Sequence, residues 1–192
     1  MSPEPSPLHQ ALRQATRAAH HALDHHPILT PLAQPTLTRA DYGRALHGLH
    51  ALHAHAEPAI LGFLARHDLA FDYQPRRKLA ALAHDLDALG LSSPDASLQL
   101  DAPETPGELI GLLYTVEGAT LGGQFLARRI QQNHGSSLPT CFLGVYGDQT
   151  ASHWIEFWHF ANAYCPEAET ATAQTHALAT FTALRVRLDS LI

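Results

Sequence analysis

The chain has 192 residues, of which 45% are hydrophobic and 16% charged, and this composition is typical of one globular domain. Its formal net charge of -6 argues against nucleic acid or an anionic membrane as a partner, and no apolar run reaches the roughly 18–20 residues of a membrane span. The start of the chain lacks the features of a secretory signal, so we expect a cytoplasmic protein.

Apolar residues recur at helical spacing along almost the whole chain, and no strand-like alternation is present. We expect a disordered leader over residues 1–7 and one domain over residues 8–192. The predicted helices cover residues 8–25, 39–57, 75–90, 106–133, 147–165 and 166–192. Thr38 is predicted to cap the second helix, which continues beyond Pro58 either as a bent extension or as a separate helix. Six to eight helices predict an all-α, single-domain bundle.

The longest predicted helix carries three glycines, Gly118, Gly122 and Gly123, within the stretch YTVEGATLGGQFLARR. Each glycine costs about 1 kcal/mol relative to alanine in a helix interior, so this helix is expected to bend easily. Gly118 and Gly122 are four residues apart and share a face on which the backbone is bare. Such a face suits close packing against another helix, or contact with a large flat ligand, and the spacing leaves both interpretations open.

The first helix has a complementary feature, four histidines within the stretch TRAAHHALDHH. A flat iron-containing macrocycle needs an axial ligand on one face and a close wall on the other. A histidine of the first helix and the glycine-bearing helix opposite would provide both. The two cysteines, Cys141 and Cys165, have no metal-binding spacing and are expected to be free thiols, with a disulfide between them as the alternative.

Three stretches together resemble the haem oxygenase family. LRQATRAAHHALD resembles the proximal-helix signature, in which Ala-Thr precedes a histidine that is followed, four positions on, by an acidic residue. LLYTVEGATLGGQFLARR resembles the distal helix of the bacterial branch, with its Glu-Gly-x-x-Leu-Gly core, and GVYGDQTASHWIEFW resembles the loop and aromatic helix that come next. The order of elements agrees from about Leu12 to the last helix, and the resemblance implies a haem-oxygenase-like helical bundle.

The resemblance also selects among the histidines. In the family the iron ligand lies four residues after the threonine, a position occupied by His20, and Asp24 stands one turn further on to bond the other ring nitrogen. His21 is the alternative ligand. His25 and His26 are expected at a frayed helix end.

The resemblance implies further contacts with haem. The distal side would be formed by Gly118, Ala119, Gly122 and Gly123, and the propionates would be contacted by Arg13, Tyr114 and His159. A solvated charge is the alternative for Arg13, and a core position is the alternative for Tyr114. Two positions depart from the family pattern. Ala119 replaces an aspartate that organises catalytic water in mammalian-type members, so backbone carbonyls, Glu117 or Thr120 would have to hold that water. Ile155 and His159 stand where lysine or arginine is common, which puts the orientation of haem in doubt.

The implied reaction is the oxidative opening of haem, substrate and cofactor at once, to biliverdin with release of carbon monoxide and iron. No glycine-rich nucleotide fingerprint follows a strand, so electrons would come from a separate reductase or ferredoxin. That donor would prefer a basic patch, for which Arg128 and Arg129, or residues 76–78, are the candidates. Bacterial relatives serve iron acquisition or supply a bilin chromophore to photoreceptors such as bacteriophytochromes, and both roles stay open.

Two other functions fit parts of the sequence. A haem carrier or sensor would keep His20 and lack the distal water, as Ala119 allows. A metal-binding helical protein would use His47, His50 and His53, which lie three residues apart and therefore form neighbouring pairs but no converging trio. A solvated or interface stripe is the favoured interpretation of these three histidines.

Overall fold

A computed structural model describes residues 5–95 and 98–192, and within these ranges the chain forms α-helices and short 3-10 turns but no strand. The predicted all-α bundle is confirmed. The six α-helices of this part of the chain are α1 (Pro7–Asp24), α2 (Arg39–His67), α3 (Leu79–Ala88), α4 (Pro106–His134), α5 (Thr150–Tyr164) and α6 (Thr170–Asp189). Of the leader expected over residues 1–7, residues 1–4 lie outside the described ranges, and Ser6 already caps α1.

The start of α2 agrees with the sequence prediction. The backbone amide of Asp41 donates to the Thr38 hydroxyl at 3.1 Å, which makes Thr38 the N-cap. The helix then runs through the exposed Pro58 to His67 as one element, so a separate helix after Pro58 is not formed.

The start of α3 differs from the prediction, because the helix begins at Leu79 rather than near Pro75. Residues 74–76 form a 3-10 turn instead. The cause is a side chain of α2: Glu57, 1% exposed, accepts hydrogen bonds from the backbone amides of Lys78 and Leu79. A carboxylate that satisfies the first free amides of a helix stabilises its N-terminus at that place.

Helix α6 lies against α1, α2 and α4 and closes the hydrophobic core. The closest approach is at Gly111 of α4, where an added Cβ would collide with the carbonyl oxygen of Ala173. Only a glycine therefore allows α4 and α6 to pack at this distance. The core is filled mainly by leucines of these helices, among them Leu12, Leu46, Leu109, Leu113 and Leu188.

The far ends of α1 and α6 are fastened to each other by His26. Its Nε2 lies 3.1 Å from the Asp189 carboxylate, and its Nδ1 accepts from the amide of Ile28 at 3.2 Å. The ring is 4% exposed. The expectation that His26 lies at a frayed end is therefore wrong, because a long-range partner in α6 orders it.

The histidines of α2 do not form a solvated stripe. His47 is partly exposed and reaches the carbonyl of Ser92, whereas His50 and His53 are buried. In the part of the chain that the structure describes, these three do not gather into a metal-binding group. Burial, and secondarily the nearby Lys78, lowers the pKa of His53 well below its usual value.

We expect acid to destabilise the protein partly through His53. Because its folded-state pKa is lowered, the folded form keeps the ring neutral while the unfolded chain takes up a proton below about pH 6.5. Through His53, the wild type should lose up to about 1.4 kcal/mol of unfolding free energy per pH unit below that point. His53→Leu should lack this part of the loss. Urea denaturation between about pH 7 and pH 5 measures this slope. The exposed His67→Leu is the control, and an unchanged slope in His53→Leu would contradict the assignment.

Candidate functional site

The segments that the sequence singles out meet where α1 and α4 touch. The hydroxyl of Thr16, buried on α1, donates to the Leu12 carbonyl at 2.8 Å and lies 3.4 Å from the hydroxyl of Tyr114 on α4. His20 follows Thr16 by one helical turn, and Gly118 follows Tyr114 by one turn, a rise of about 6 Å in each case. The contact therefore brings the histidine and the glycine-bearing segment into one region of the protein.

The ring of His20 is held by its own helix. Its Nδ1 lies 2.9 Å from the carboxylate of Asp24, four residues on, and the side chains are 63% and 57% exposed. This bond uses Nδ1 and leaves Nε2 outside it. The ring is also 6.0 Å from that of Phe181 on α6. The neighbouring His21 points elsewhere and stacks on His25 at 4.1 Å.

The glycines of α4 have two different surroundings. A Cβ at Gly122 would meet nothing within 4 Å, and one at Gly118 would make an ordinary contact of 3.5 Å with the ring of Trp154. A Cβ at Gly123 would lie only 3.0 Å from the carbonyl oxygen of Leu143. Gly123 therefore serves close packing, whereas Gly118 and Gly122 leave open backbone. Helix α4 runs unbroken through all three, and the expected bend stays a prediction.

The open glycines belong to an apolar exposed face of α4. Gly118, Leu121, Gly122 and Phe125 lie on one side of the helix by their spacing. Leu121 is 43% and Phe125 61% exposed, and Ala119 beside them is exposed as well. Contiguous apolar exposure of this kind marks a binding surface more often than an isolated leucine does.

An aromatic cluster borders the contact between α1 and α4. Tyr114 lies 6.1 Å from Trp154 and 6.0 Å from Trp158 of α5, ring centre to ring centre. His9 of α1 stacks on Trp158 at 4.2 Å, a contact that sequence reasoning missed. Burial lowers the pKa of His9, and the charge of Arg13 one turn away adds to the effect. Tyr114 therefore packs against core aromatic rings, as the alternative interpretation of this residue predicted, and it also bonds to α1.

Arg13 and His159 are exposed, on α1 and α5, and Ile155 is exposed on α5 as well. No described contact connects these three residues to His20. Their contacts with haem propionates stay predictions.

Behind the glycine face lies a buried group of charges, here called the Glu117 cluster: Glu117, Arg76, Lys78 and Tyr146. The carboxylate of Glu117, 1% exposed, accepts from Arg76 at 2.8 Å and from Lys78 at 2.7 Å. The Tyr146 hydroxyl lies 3.0 Å from both carboxylate oxygens. Burial raises the pKa of Tyr146, and Glu117 raises it further, so this hydroxyl stays protonated as a donor.

The Glu117 cluster corrects two expectations. Arg76 and Lys78 are 2% and 1% exposed, so they cannot form a docking patch for an electron donor. Glu117 is bound within the cluster, and the buried Thr120 donates to the Glu117 carbonyl at 2.6 Å, so neither side chain is free to hold water on the glycine face. An indication was present in the sequence, since Glu117 continues the helical stripe of Leu113 and Val116, where an acidic side chain needs a buried partner.

A family model described as Heme oxygenase matches residues 6–186. The chain belongs to the haem oxygenase family. A sequence search of curated proteins gives no match.

Solved structures of bacterial haem oxygenases have the same fold, each with a TM-score of 0.75. The NO- and CO-bound enzyme of Neisseria meningitidis is 22% identical, and the alignment covers 95% of this chain and 90% of that one. Haem oxygenase-1 of the cyanobacterium Synechocystis, in complex with haem, is 16% identical, with coverage of 97% and 92%. The protein from Leptospira interrogans is 15% identical, with coverage of 96% and 100%.

Two arginines of α4 remain at the surface. Arg128 and Arg129 are exposed on α4, and Arg129 donates to the Ala33 carbonyl at 2.6 Å. Of the cations offered as a basic patch, these two and Arg77 are exposed, and Arg77 is paired with Glu57 at 3.1 Å. Among the described residues, no helix combines the length and the apolar character needed to cross a membrane.

Gly122→Ala and Gly123→Ala should differ in stability although the glycines are adjacent. At Gly122 the methyl group enters open space, so the better helix propensity of alanine should raise the unfolding free energy by up to about 1 kcal/mol. At Gly123 the methyl group would press on the Leu143 carbonyl, and this gain should disappear or reverse. Urea denaturation of both variants checks the difference, and equal stabilisation would contradict the close approach at Gly123.

Glu117→Gln should be strongly destabilising, because it leaves Arg76 and Lys78 buried beside a neutral amide. We expect a loss of about 3–5 kcal/mol in unfolding free energy. Glu156→Gln is the matched control, since Glu156 pairs with the same Arg76 at 2.7 Å but is 60% exposed. For this exposed partner we expect a loss below about 1 kcal/mol. Thermal or urea unfolding of the two variants measures the difference. Similar losses in both would show that Glu117 does not form buried ion pairs with Arg76 and Lys78.

Proposed function

We propose that this protein is a haem-degrading oxygenase that binds haem between α1 and α4 with His20 as the axial ligand. The observation that carries the proposal is the bond of 2.9 Å between His20 Nδ1 and Asp24. A carboxylate on one ring nitrogen fixes the tautomer and orientation of a histidine and makes the other nitrogen a better metal ligand. His20 has this arrangement, and Nε2 is the nitrogen left to bind iron.

The residues around His20 suit a flat apolar macrocycle. The face of Gly118, Leu121, Gly122 and Phe125 combines open backbone with exposed apolar side chains. A ring laid on this face could approach the backbone of α4 at Gly122, where no side chain intervenes. Phe181 of α6 lies beside His20 and would form part of the apolar surroundings.

When bound, haem is the substrate and supplies the iron at which its own oxidation takes place. The chain contributes binding, orientation and exclusion of water. His20 would hold the iron, with Asp24 stabilising the ring, and the wall of α4 would restrict approach to one edge of the macrocycle. Since Ala119 has no polar group and Glu117 is engaged elsewhere, backbone carbonyls of the glycine segment would hold the water that delivers protons.

The proposal extends to the periphery of the site. Tyr114, Arg13 and His159 would contact the haem propionates, since a cation or hydroxyl binds a carboxylate well at the edge of a pocket. The products would be biliverdin, carbon monoxide and iron, formed in the cytoplasm. A separate reductase or ferredoxin would supply electrons and dock near Arg128 and Arg129. Iron acquisition and chromophore supply to a bacteriophytochrome both stay open as the purpose of the reaction.

The test compares the two adjacent histidines of α1. Hemin is added to purified wild type, His20→Ala and His21→Ala, and the Soret band is recorded before and after a reductant is supplied in air. We expect a sharp Soret band that decays to bilin absorbance in wild type and in His21→Ala. His20→Ala should show an altered or weakened band and lose turnover, and imidazole should restore part of both. Asp24→Asn should keep haem and shift the iron–ligand spectrum.

The outcomes separate the proposal from its rival. A Soret band that depends on His21 instead of His20 would overturn the ligand assignment. A Soret band that depends on His20 but never decays would make the protein a haem carrier or sensor, the function that Ala119 allows. If no Soret band forms with wild type, the chain has the fold of the family without its haem site.

A further inference from the structure

A second group of metal-ligating side chains lies outside the proposed haem site. Within residues 5–95 and 98–192, His84, Asp85 and Cys141 form the only group of three whose ligand atoms all lie within 4.8 Å of one another. His84 and Asp85 are neighbours on α3, and Cys141 belongs to the segment between α4 and α5. The sequence gives no local signal for this group, because Cys141 is 56 residues away from Asp85.

The group is held together by the buried Asp85. Its carboxylate accepts from the backbone amide of Cys141 at 3.1 Å and from that of Phe142 at 2.9 Å. These two bonds attach the loop to α3 and keep Cys141 beside His84 at the surface. An ionised carboxylate has about four lone-pair positions, so two remain after both amides are bound. His84 and Cys141 are exposed, so a cation would enter from their side and meet the buried Asp85 carboxylate behind them.

We propose that His84, Asp85 and Cys141 bind Zn²⁺, with water as the fourth ligand. Zinc prefers four ligands in a tetrahedron and accepts thiolate sulfur, imidazole nitrogen and carboxylate oxygen. Ligand atoms around tetrahedral zinc lie roughly 3.3–3.7 Å apart, so no pair of the three ligand atoms has to approach by more than about 1.5 Å. Rotation of the exposed His84 and Cys141 side chains supplies this change while Asp85 stays in place.

Binding involves no change of oxidation state. The Cys141 S–H bond breaks, its proton leaves to solvent, and the sulfur bonds to zinc as a thiolate. The charges of one thiolate and one carboxylate balance Zn²⁺. The sulfur ligand favours zinc over magnesium or calcium, which take oxygen ligands.

The position of this site links it to the glycine segment of α4. The loop that carries Cys141 places the Leu143 carbonyl against Gly123, and Gln131 of α4 donates to Thr140 at 2.9 Å. Zinc would fasten this loop to α3 at a second point. We therefore expect zinc to raise the melting temperature of the protein, since a ligand that binds only the folded state stabilises it.

The experiment titrates the haem-free full-length protein with Co²⁺ and then displaces the cobalt with Zn²⁺. The near-ultraviolet charge-transfer band of a cobalt–thiolate bond reports binding through cysteine, which matters because the chain has 15 histidines. We expect this band to reach saturation at one Co²⁺ per chain and to disappear on addition of Zn²⁺. Chelator competition then gives the zinc affinity.

Two pairs of variants make the assignment specific. Cys141→Ser should abolish the thiolate band, while Cys165→Ser, which removes the other free cysteine, should keep it. His84→Ala should weaken zinc binding at least tenfold, while the exposed His67→Ala should leave it unchanged. Far-ultraviolet circular dichroism confirms that each variant is folded. The proposal is overturned if wild type shows no thiolate band, if the band survives in Cys141→Ser, or if His84→Ala binds zinc like wild type. None of these results depends on haem binding.

Discussion

The buried pairing of Glu117 with Arg76 and Lys78 is the constraint on which the arrangement of the site depends. Charges taken out of water must be compensated by one another, because a single unpaired buried charge costs several kcal/mol. Glu117 lies in the middle of α4, while both cations precede α3, and Arg76 also reaches Glu156 and the His153 carbonyl on α5. These bonds tie the segment before α3 to both α4 and α5, and the glycine face of α4 lies outside the cluster.

Helix α4, which carries Glu117, contains glycines that lower its intrinsic stability, and tertiary contacts compensate for them. Gly118, Gly122 and Gly123 reduce the helical stability of α4 within six residues, yet the helix continues to His134. Close packing stabilises the helix at two of its glycines. Gly111 fits against the backbone of α6, and Gly123 fits against the Leu143 carbonyl. Helix α4 therefore tolerates the open backbone at Gly118 and Gly122, which lies beside a tightly packed core.

Environment, and not residue type, decides what each histidine does. His20 has an exposed ring that is oriented by Asp24 on the same helix. His26 becomes structural through Asp189, and His53 is a neutral core residue because burial opposes its charge. His84 is placed beside a cysteine and a carboxylate by the loop that Asp85 anchors. A histidine-rich composition therefore says little until the neighbours of each ring are known.

What the sequence by itself determined is local. Periodicity predicted the helices, and Thr38 marked the start of α2. The four-residue spacing placed His20 and Asp24 on one face of α1, and the resemblance to haem oxygenases implied the bond that the two side chains form. Only the tertiary structure decided the rest. Arg76 and Lys78 meet Glu117 across 41 and 39 residues, and Cys141 meets Asp85 across 56. A helical period extends over a few turns, whereas these contacts depend on how whole helices pack, and that packing also turned an apparent basic patch into buried ion pairs.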